Sequence, residues 1–212
     1  MIVMAYRIYR YINFDKMNCQ KFIENKIKEI SKEKVILDVG GGKPFTKWLS
    51  SYKELFANSD YKTMDYDKNT GADIVGDIHN IPLPEGSIDA IICHSVLEHV
   101  RDPQKAMDEM HRVLRHGGKM FFHVPSIYPY HAKKGFYPDY WRFFDDAIEL
   151  LFKDFSKVEC VKRGGYFKAL LFFIPFQHRL RFVIDPLADF LDAVFKTERR
   201  TTTSGYYVFA IK

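Results

Sequence analysis

Cysteine is scarce in this chain. Cys19, Cys93 and Cys160 are odd in number and lack any metal-ligand spacing. A disulfide framework is therefore excluded, and a reduced, cytoplasmic setting is expected. No charged N-terminal region leads into a long apolar run with a small-residue cleavage site, so no signal peptide is expected. No segment approaches the ~18–20 apolar residues of a membrane-spanning helix. Internal repeats and low-complexity tracts are absent. A concentrated basic surface is missing too: the net charge is +5, and Lys and Arg are spread along the whole sequence. That distribution argues against a nucleic-acid partner.

What is present suits one globular domain. The chain has 212 residues, of which 47% are hydrophobic, enough to build a core. The most informative stretch is Val35–Pro44, VILDVGGGKP. Val35, Ile36 and Leu37 suit a buried parallel strand. Gly40, Gly41 and Gly42 let the backbone turn sharply and approach a ligand closely. Pro44 fits the first position of a helix. Strand, glycine turn and helix start together make a nucleotide-type pocket at the carboxyl edge of a parallel sheet. An ordinary tight turn is the plain alternative. A dinucleotide fingerprint fails because Phe45 stands where the third glycine belongs, and Gly42-Lys43-Pro44 lacks the Lys-Ser/Thr ending of a P-loop.

The pattern resembles the first motif of class I S-adenosylmethionine-dependent methyltransferases, acid-x-Gly-x-Gly-x-Gly. Asp38, Gly40 and Gly42 match it, and Pro44 stands at the usual third glycine. Further matches follow in order. Lys62–Tyr66 reads as the end of a second strand, and Asp65 falls near the ~20 residues expected between glycine turn and ribose-binding acid. An ionised carboxylate only accepts hydrogen bonds, so it suits a ribose diol. The resemblance implies that Tyr66 borders the cofactor, that Asp77 accepts from the adenine amine and that Ile78 covers a ring face. Ile88–His94 reads as a fourth strand with His94 beside the cofactor, and Ser95–Val100 resembles the loop beneath the transferring methyl. A helix is expected over 102–115, capped by Asp102, opened by Pro103 and closed by Gly117-Gly118. A fifth strand follows over Lys119–Pro125.

Three regions lie outside this core. Residues 1–33 are expected to be helical, with Phe22, Ile23, Ile27 and Ile30 in one stripe and Ile2–Phe14 rich in Tyr and Ile interleaved with Arg. The extension either packs on the sheet or meets a membrane surface or partner. Residues 126–145 should overhang the cofactor, where loops carry function. They resemble a segment of sugar- and glycan-associated methyltransferases. Tyr130 and His131 match its tyrosine–histidine element, and Asp139, Tyr140, Trp141, Arg142 and Phe143 match its Asp-aromatic-aromatic-Arg-Phe run. Asp145 is expected to cap a helix over 146–155. Strands are expected over about 156–162 and Tyr206–Ile211. Between them, residues 164–200 form a helical insertion in which Ala169–Phe176 is apolar and stops at Pro175. There Asp185-Pro186 starts a helix with Leu187, Phe190, Leu191 and Val194 on one face. This insertion covers the substrate pocket or a homodimer interface. Alternatively it touches the inner membrane surface, with Arg179, Arg181, Arg199 and Arg200 at anionic lipid heads.

The resemblance implies an α/β Rossmann-like three-layer sandwich in a single domain, 1–212. Its seven-stranded, mostly parallel sheet has the order 3-2-1-4-5-7-6, strand seven antiparallel. The implied cofactor is S-adenosyl-L-methionine, leaving as S-adenosyl-L-homocysteine. The expected acceptor is oxygen on a small molecule or glycan. Methylation of nitrogen or carbon on another metabolite or RNA is the enzymatic alternative, and a non-catalytic cofactor-binding or assembly module is the other. His131 is the first candidate for the base and His99 the second, since histidine suits that role near neutral pH. Tyr130, Asp139, Tyr140 and Arg142 are expected to bind the acceptor, with an Arg142–Asp139 bridge as the alternative for that pair. His123 reads as a satisfied core residue, and His79, His111, His116 and His178 as bystanders. The histidines show no tight metal-ligand spacing, so no metal is expected.

Overall fold

The structure, a computed structural model, describes residues 12–14, 19–46, 48–174, 177–197 and 202–212. A short strand β1 (Ile12–Phe14) precedes helix α1 (Cys19–Ile30). Next come β2 (Val35–Val39), a 3-10 helix over Trp48–Phe56, β3 (Asp60–Asp65), β4 (Ile74–Val75) and β5 (Ile88–His94). Helix α2 (Pro103–Val113) runs into β6 (Leu114–Pro125), which is followed by α3 (Asp145–Leu151) and β7 (Lys157–Lys162). Helices α4 (Tyr166–Leu171) and α5 (Gln177–Phe195) then lead to β8 (Gly205–Ile211).

All eight strands form one sheet in the order β1-β7-β8-β6-β5-β2-β3-β4. Without β1 this is the expected seven-strand order. Strand β8 is antiparallel to both β6 and β7, and the other pairings are parallel. Among the described residues no helix is long and apolar enough to cross a membrane.

The alternation of strand side chains makes the three layers. Leu37, Val39, Ile91, Cys93, Met120 and Phe122 point to one face, where Ala106, Met107 and Met110 of α2 and Ile148 and Leu151 of α3 cover them. Ile36, Ala90, Ile92, Phe121 and Phe209 point to the other, against Phe22, Ile27 and Ile30 of α1 and Leu49 and Phe56 of the 3-10 helix. Cys93 and Cys160 are buried free thiols, and burial pushes both thiols above their ordinary range.

Several local expectations are corrected. The helical reading of residues 1–33 fails at Ile12–Phe14, which pairs in parallel with β7. An edge strand has unpaired amides and carbonyls, and β1 satisfies them. Residues 2–11 lie outside the described set. Pro44 opens no helix; the first helical turn after the glycines begins at Trp48, beyond Phe45 with φ 54°. Helix α2 has the expected Asp102 cap, which accepts from the Lys105 amide at 2.9 Å. It stops at Val113, however, before Gly117-Gly118. The β5–β6 register jumps from Ile88↔Leu114 to Ala90↔Lys119, so Gly117, φ 70°, turns within an irregularity of β6. Asp145 does not cap α3, whose N-cap is Phe144. Its carboxylate instead accepts from Tyr206 Oη at 2.6 Å and Lys162 Nζ at 3.1 Å.

The insertion is helical as expected, but α5 starts at Gln177 and runs through Pro186. Buried Asp192 of α5 explains how the two helices lock. It accepts from the amides of Gly165, Phe167 and Lys168 at 2.8–3.0 Å and from the Thr197 hydroxyl. It thus satisfies amides at the α4 N-terminus that have no partner within the helix. Pro175, Arg199 and Arg200 lie outside the described residues, as do the side chains of Arg179, Arg181 and His178.

Phe121 is fully buried between α1 and the 3-10 helix, whereas Phe182 on α5 is 79% exposed. Phe121→Ala is expected to cost about 3–5 kcal/mol in urea unfolding. Phe182→Ala should change stability by less than ~0.5 kcal/mol.

Candidate active site

Parallel pairing puts the carboxyl ends of β2, β3, β4, β5 and β6 along one edge of the sheet. The glycine turn after β2 sits there because the Gly40 amide donates to Met64 O at 2.7 Å, at the end of β3. One residue on, Asp65 O accepts from the Gly76 amide at 3.0 Å, which draws in Asp77. The turn needs its glycines. Gly40 has φ 73° and a Cβ there would collide with Val96 Cγ2, while a Cβ on Gly41 would collide with Asp38 Oδ2. Asp38 lies under the turn, nearly buried, and accepts from Tyr61 Oη at 2.5 Å. Burial and the Asp38 charge push the Tyr61 phenol well above its ordinary range.

A cavity of about 290 Å³ opens over this turn, lined by Asp38, Gly40, Gly41, Phe45, Thr46, Trp48, Leu49, His94 and Ser95. Its aromatic wall is a stack. Trp48 lies on His94 with centroids 4.5 Å apart, and His94 lies on His123 at 4.4 Å. Ser95, φ 57°, places its Oγ 2.9 Å from His123 Nδ1 and 3.3 Å from His94 Nδ1. The acid below, the aromatic wall and the glycine floor suit a ligand that carries a positive charge. Beside the cavity, Asp65 and the 79%-exposed Tyr66 offer a diol acceptor and a stacking face. These groups fit S-adenosylmethionine, which carries a sulfonium, an ammonium, a ribose diol and an adenine.

The loops after β5 and β6 form a second cluster. Their strands end side by side, His94 opposite His123. Glu98 is 1% exposed, and its Oε2 has no hydrogen-bond partner among the described residues. Glu98 Oε1 lies 3.8 Å from His99 Nε2 and 3.9 Å from His131 Nε2. Burial pushes the Glu98 carboxyl up to about 7. Burial also lowers the His99 imidazole from its ordinary value. The rings of His99 and His131 meet edge to face at 4.9 Å.

Arg142 shapes the overhanging loop. Its guanidinium pairs bidentately with Asp139 at 2.6 and 2.7 Å. The remaining N–H groups go to Tyr128 O, Pro129 O and Trp141 O at 2.8–2.9 Å. The guanidinium holds the Asp139 carboxyl down at about 2. Asp139 also accepts from the His131 amide at 2.8 Å. Loop and β5 segment are tied by Tyr140 N to Glu98 O at 2.7 Å and Trp141 Nε1 to Val100 O at 2.8 Å.

The structure thus brings most expected residues to one edge but changes several roles. Asp139 has a fully buried side chain and Arg142 spends its donors on the loop, which is the bridge expected as the alternative for this pair. Tyr130 and Tyr140 are exposed. Ile78 is buried in the core and offers the cofactor little surface; Tyr66 is the exposed aromatic at that place. Asp77 is engaged by His79, whose amide and Nδ1 lie 2.9 and 2.7 Å from Oδ1. Burial drives His123 well below its ordinary pKa, and its Nε2 has no partner among the described residues, so it is a core residue only half satisfied there. Sequence reasoning gave no role to Trp48 and, within the Ser95–Val100 loop, singled out neither Ser95 nor Glu98. An acid between Leu97 and His99 in an otherwise apolar loop was the available signal for Glu98.

The methyltransferase-domain family profile matches residues 37–122. A 2-methyl-6-phytyl-1,4-hydroquinone methyltransferase of Oryza sativa subsp. japonica is 31% identical over 144 residues, 62% of this chain and 38% of its own length. A thiol S-methyltransferase of Homo sapiens is 44% identical over 48 residues, 23% of this chain and 20% of its own. The chain therefore spans well under half of either curated relative. A solved S-adenosylmethionine-dependent methyltransferase from Archaeoglobus fulgidus superposes with a TM-score of 0.58 at 12% identity, covering 91% of this chain and 92% of that one. This last likeness is one of fold.

The clamp yields a prediction. Arg142→Lys keeps the charge but loses the two-pronged contact with Asp139. Limited proteolysis should then cut within 126–144 at least several-fold faster, with far-UV circular dichroism unchanged. Cutting at the native rate would remove Arg142 from the loop's support.

Proposed function

We infer that this chain, whose residues 37–122 match the methyltransferase-domain profile, is a class I S-adenosylmethionine-dependent methyltransferase that transfers a methyl group from that cofactor to oxygen on a small molecule or glycan. The observation that carries the reading is the Glu98–His99–His131 cluster on the loops directly after β5 and β6, the first of which begins at Ser95 in the lining of the cavity over the glycine turn.

A sulfonium methyl is already activated, so the protein's first task is alignment. Holding two reactants in line supplies up to about 7–11 kcal/mol. The glycine turn, Asp65 and the Trp48–His94 stack would hold the cofactor. Tyr130, Tyr140 and Trp141, all at least 43% exposed, line the outer loop as faces for a sugar or aromatic ring. An alcohol acceptor must also lose a proton, and help with that is worth ~10²–10⁴-fold. The proton's destination in this reading is the cluster, with His131 as its most accessible member.

Helix α4 closes the outer side. Phe172 packs on Tyr128 at 4.8 Å, and Tyr128 packs on His131 at 5.1 Å. The insertion is thus read as a cover for the acceptor pocket. Its outer face leaves Phe182, Leu187, Phe190 and Val194 exposed along α5, which supports a homodimer or peripheral membrane contact as a further proposal.

Calorimetry tests the first half. S-adenosylmethionine and S-adenosylhomocysteine should bind in the micromolar range and NAD should not. Asp65→Ala should weaken both by roughly 1.5–3 kcal/mol. Native affinity in the folded variant would take Asp65 out of the ribose site. The second half is tested by an acceptor screen with sugars, phenols and thiols. His131→Ala should keep cofactor affinity and lower turnover at least ~10²-fold. Methylation of thiols alone would overturn the oxygen reading. Cofactor retention without transfer to any acceptor would favour a non-catalytic binding module.

A further inference from the structure

The acceptor-side cluster has the form of a metal centre. We propose that Glu98, His99 and His131 bind a divalent transition-metal ion of the zinc class, one atom from each side chain, leaving a further position open to a ligand.

The donor set comes first. Two imidazoles and one carboxylate are a recognised three-ligand set for a zinc ion with an open fourth site. One donor atom from each side chain falls within 4.8 Å of the other two. Across a tetrahedron with ~2.1 Å bonds the donors lie about 3.4 Å apart, so a shift of roughly an ångström closes the set. Glu98 Oε1, at 3.8 and 3.9 Å from the two Nε2 atoms, is too far for hydrogen bonds to them and close enough for a shared ion.

The second observation is independent of spacing. Glu98 is 1% exposed with Oε2 unpartnered among the described residues, and burying a carboxylate without a partner is costly. A cation between the two histidines removes that cost.

The third is the orientation of the rings. His99 Nδ1 sits 2.5 Å from Pro138 O. His131 Nδ1 sits 3.1 Å from Pro129 O and 3.2 Å from Asp139 Oδ2. Each Nδ1 therefore carries its proton toward an oxygen, and each Nε2 turns its lone pair toward Glu98. Arg142 Nη2, 3.4 Å from His131 Nδ1, has shorter bonds to Pro129 O and Asp139. Metal-bound histidines are characteristically fixed in this way by a carbonyl or carboxylate on the far nitrogen.

An ion there would hold an acceptor oxygen at its open position and favour loss of its proton. His131 would then act by holding the ion, not by taking the proton itself. That consequence rests on the methyl-transfer reading; the binding does not.

The test uses tag-free, chelator-treated full-length protein without cofactor. Zn²⁺ is titrated by calorimetry, Co²⁺ by its visible absorption, and Mg²⁺ serves as the oxygen-seeking control. One equivalent of Zn²⁺ should bind, Co²⁺ should give the intense bands of a tetrahedral site, and Mg²⁺ should not bind. His131→Ala and His99→Ala should abolish the Co²⁺ bands, and Asp139→Asn should weaken Zn²⁺ by 10–100-fold. Glu98→Gln gives a further check, and circular dichroism on every variant guards against misfolding. Absence of stoichiometric Zn²⁺ uptake by the folded wild type, or equal uptake by His131→Ala, overturns the proposal. S-adenosylhomocysteine binding measured on the same samples is a separate readout, so either reading can fail while the other stands.

Discussion

Parallel strand pairing is the constraint on which the rest depends. Because β2 pairs with both β3 and β5, and β5 with β6, four consecutive carboxyl ends lie abreast. Each end releases a loop: the glycine turn, the Asp65–Tyr66 step, the Ser95–Val100 segment and the overhang over 126–144. Backbone bonds from Gly40 to Met64 and from Gly76 to Asp65 stitch neighbouring loops to one another. The loop residues along this edge are thus placed by the sheet, and hydrophobic burial on its two faces keeps the sheet in register.

The outer loop follows a different logic. It has little apolar burial of its own and is ordered by charge-assisted hydrogen bonds. Arg142 binds Asp139 bidentately and gathers Tyr128, Pro129 and Trp141 carbonyls. Tyr140 and Trp141 then tie the loop to Glu98 and Val100. One guanidinium consequently sets the angle at which His131 meets His99. Such support fixes the far nitrogens of both imidazoles.

Much of the sheet was legible because apolar runs ending in glycine or acid mark buried parallel strands. Ile88–His94 and Gly205–Ile211 fall within a residue or two of expectation. Helix boundaries read worse. Pro44 and Asp185-Pro186 carry local start signals, yet tertiary contacts decide otherwise: Phe45 packs on Tyr61 at 4.4 Å, and Asp192 anchors α5 to amides at the start of α4. Strand β1 was not legible, because only three residues pair and the partner lies far along the chain. At the site, motif residues such as Asp38 and Asp65 carry their spacing in the sequence. The Asp139–Arg142 bridge was legible as an alternative, being three residues apart in one loop, whereas Glu98 was not, since its role depends on burial and on which residues face it across two loops. The histidine spacing likewise hid the cluster, because His99 and His131 are brought together by pairing of β5 with β6.

A crystal structure with S-adenosylhomocysteine tests the central claim most directly. The account predicts cofactor density over Gly40–Gly42, ribose hydroxyls on Asp65, and the sulfur facing Glu98, His99 and His131. Density elsewhere on the molecule, or a sulfur turned away from that cluster, would contradict it.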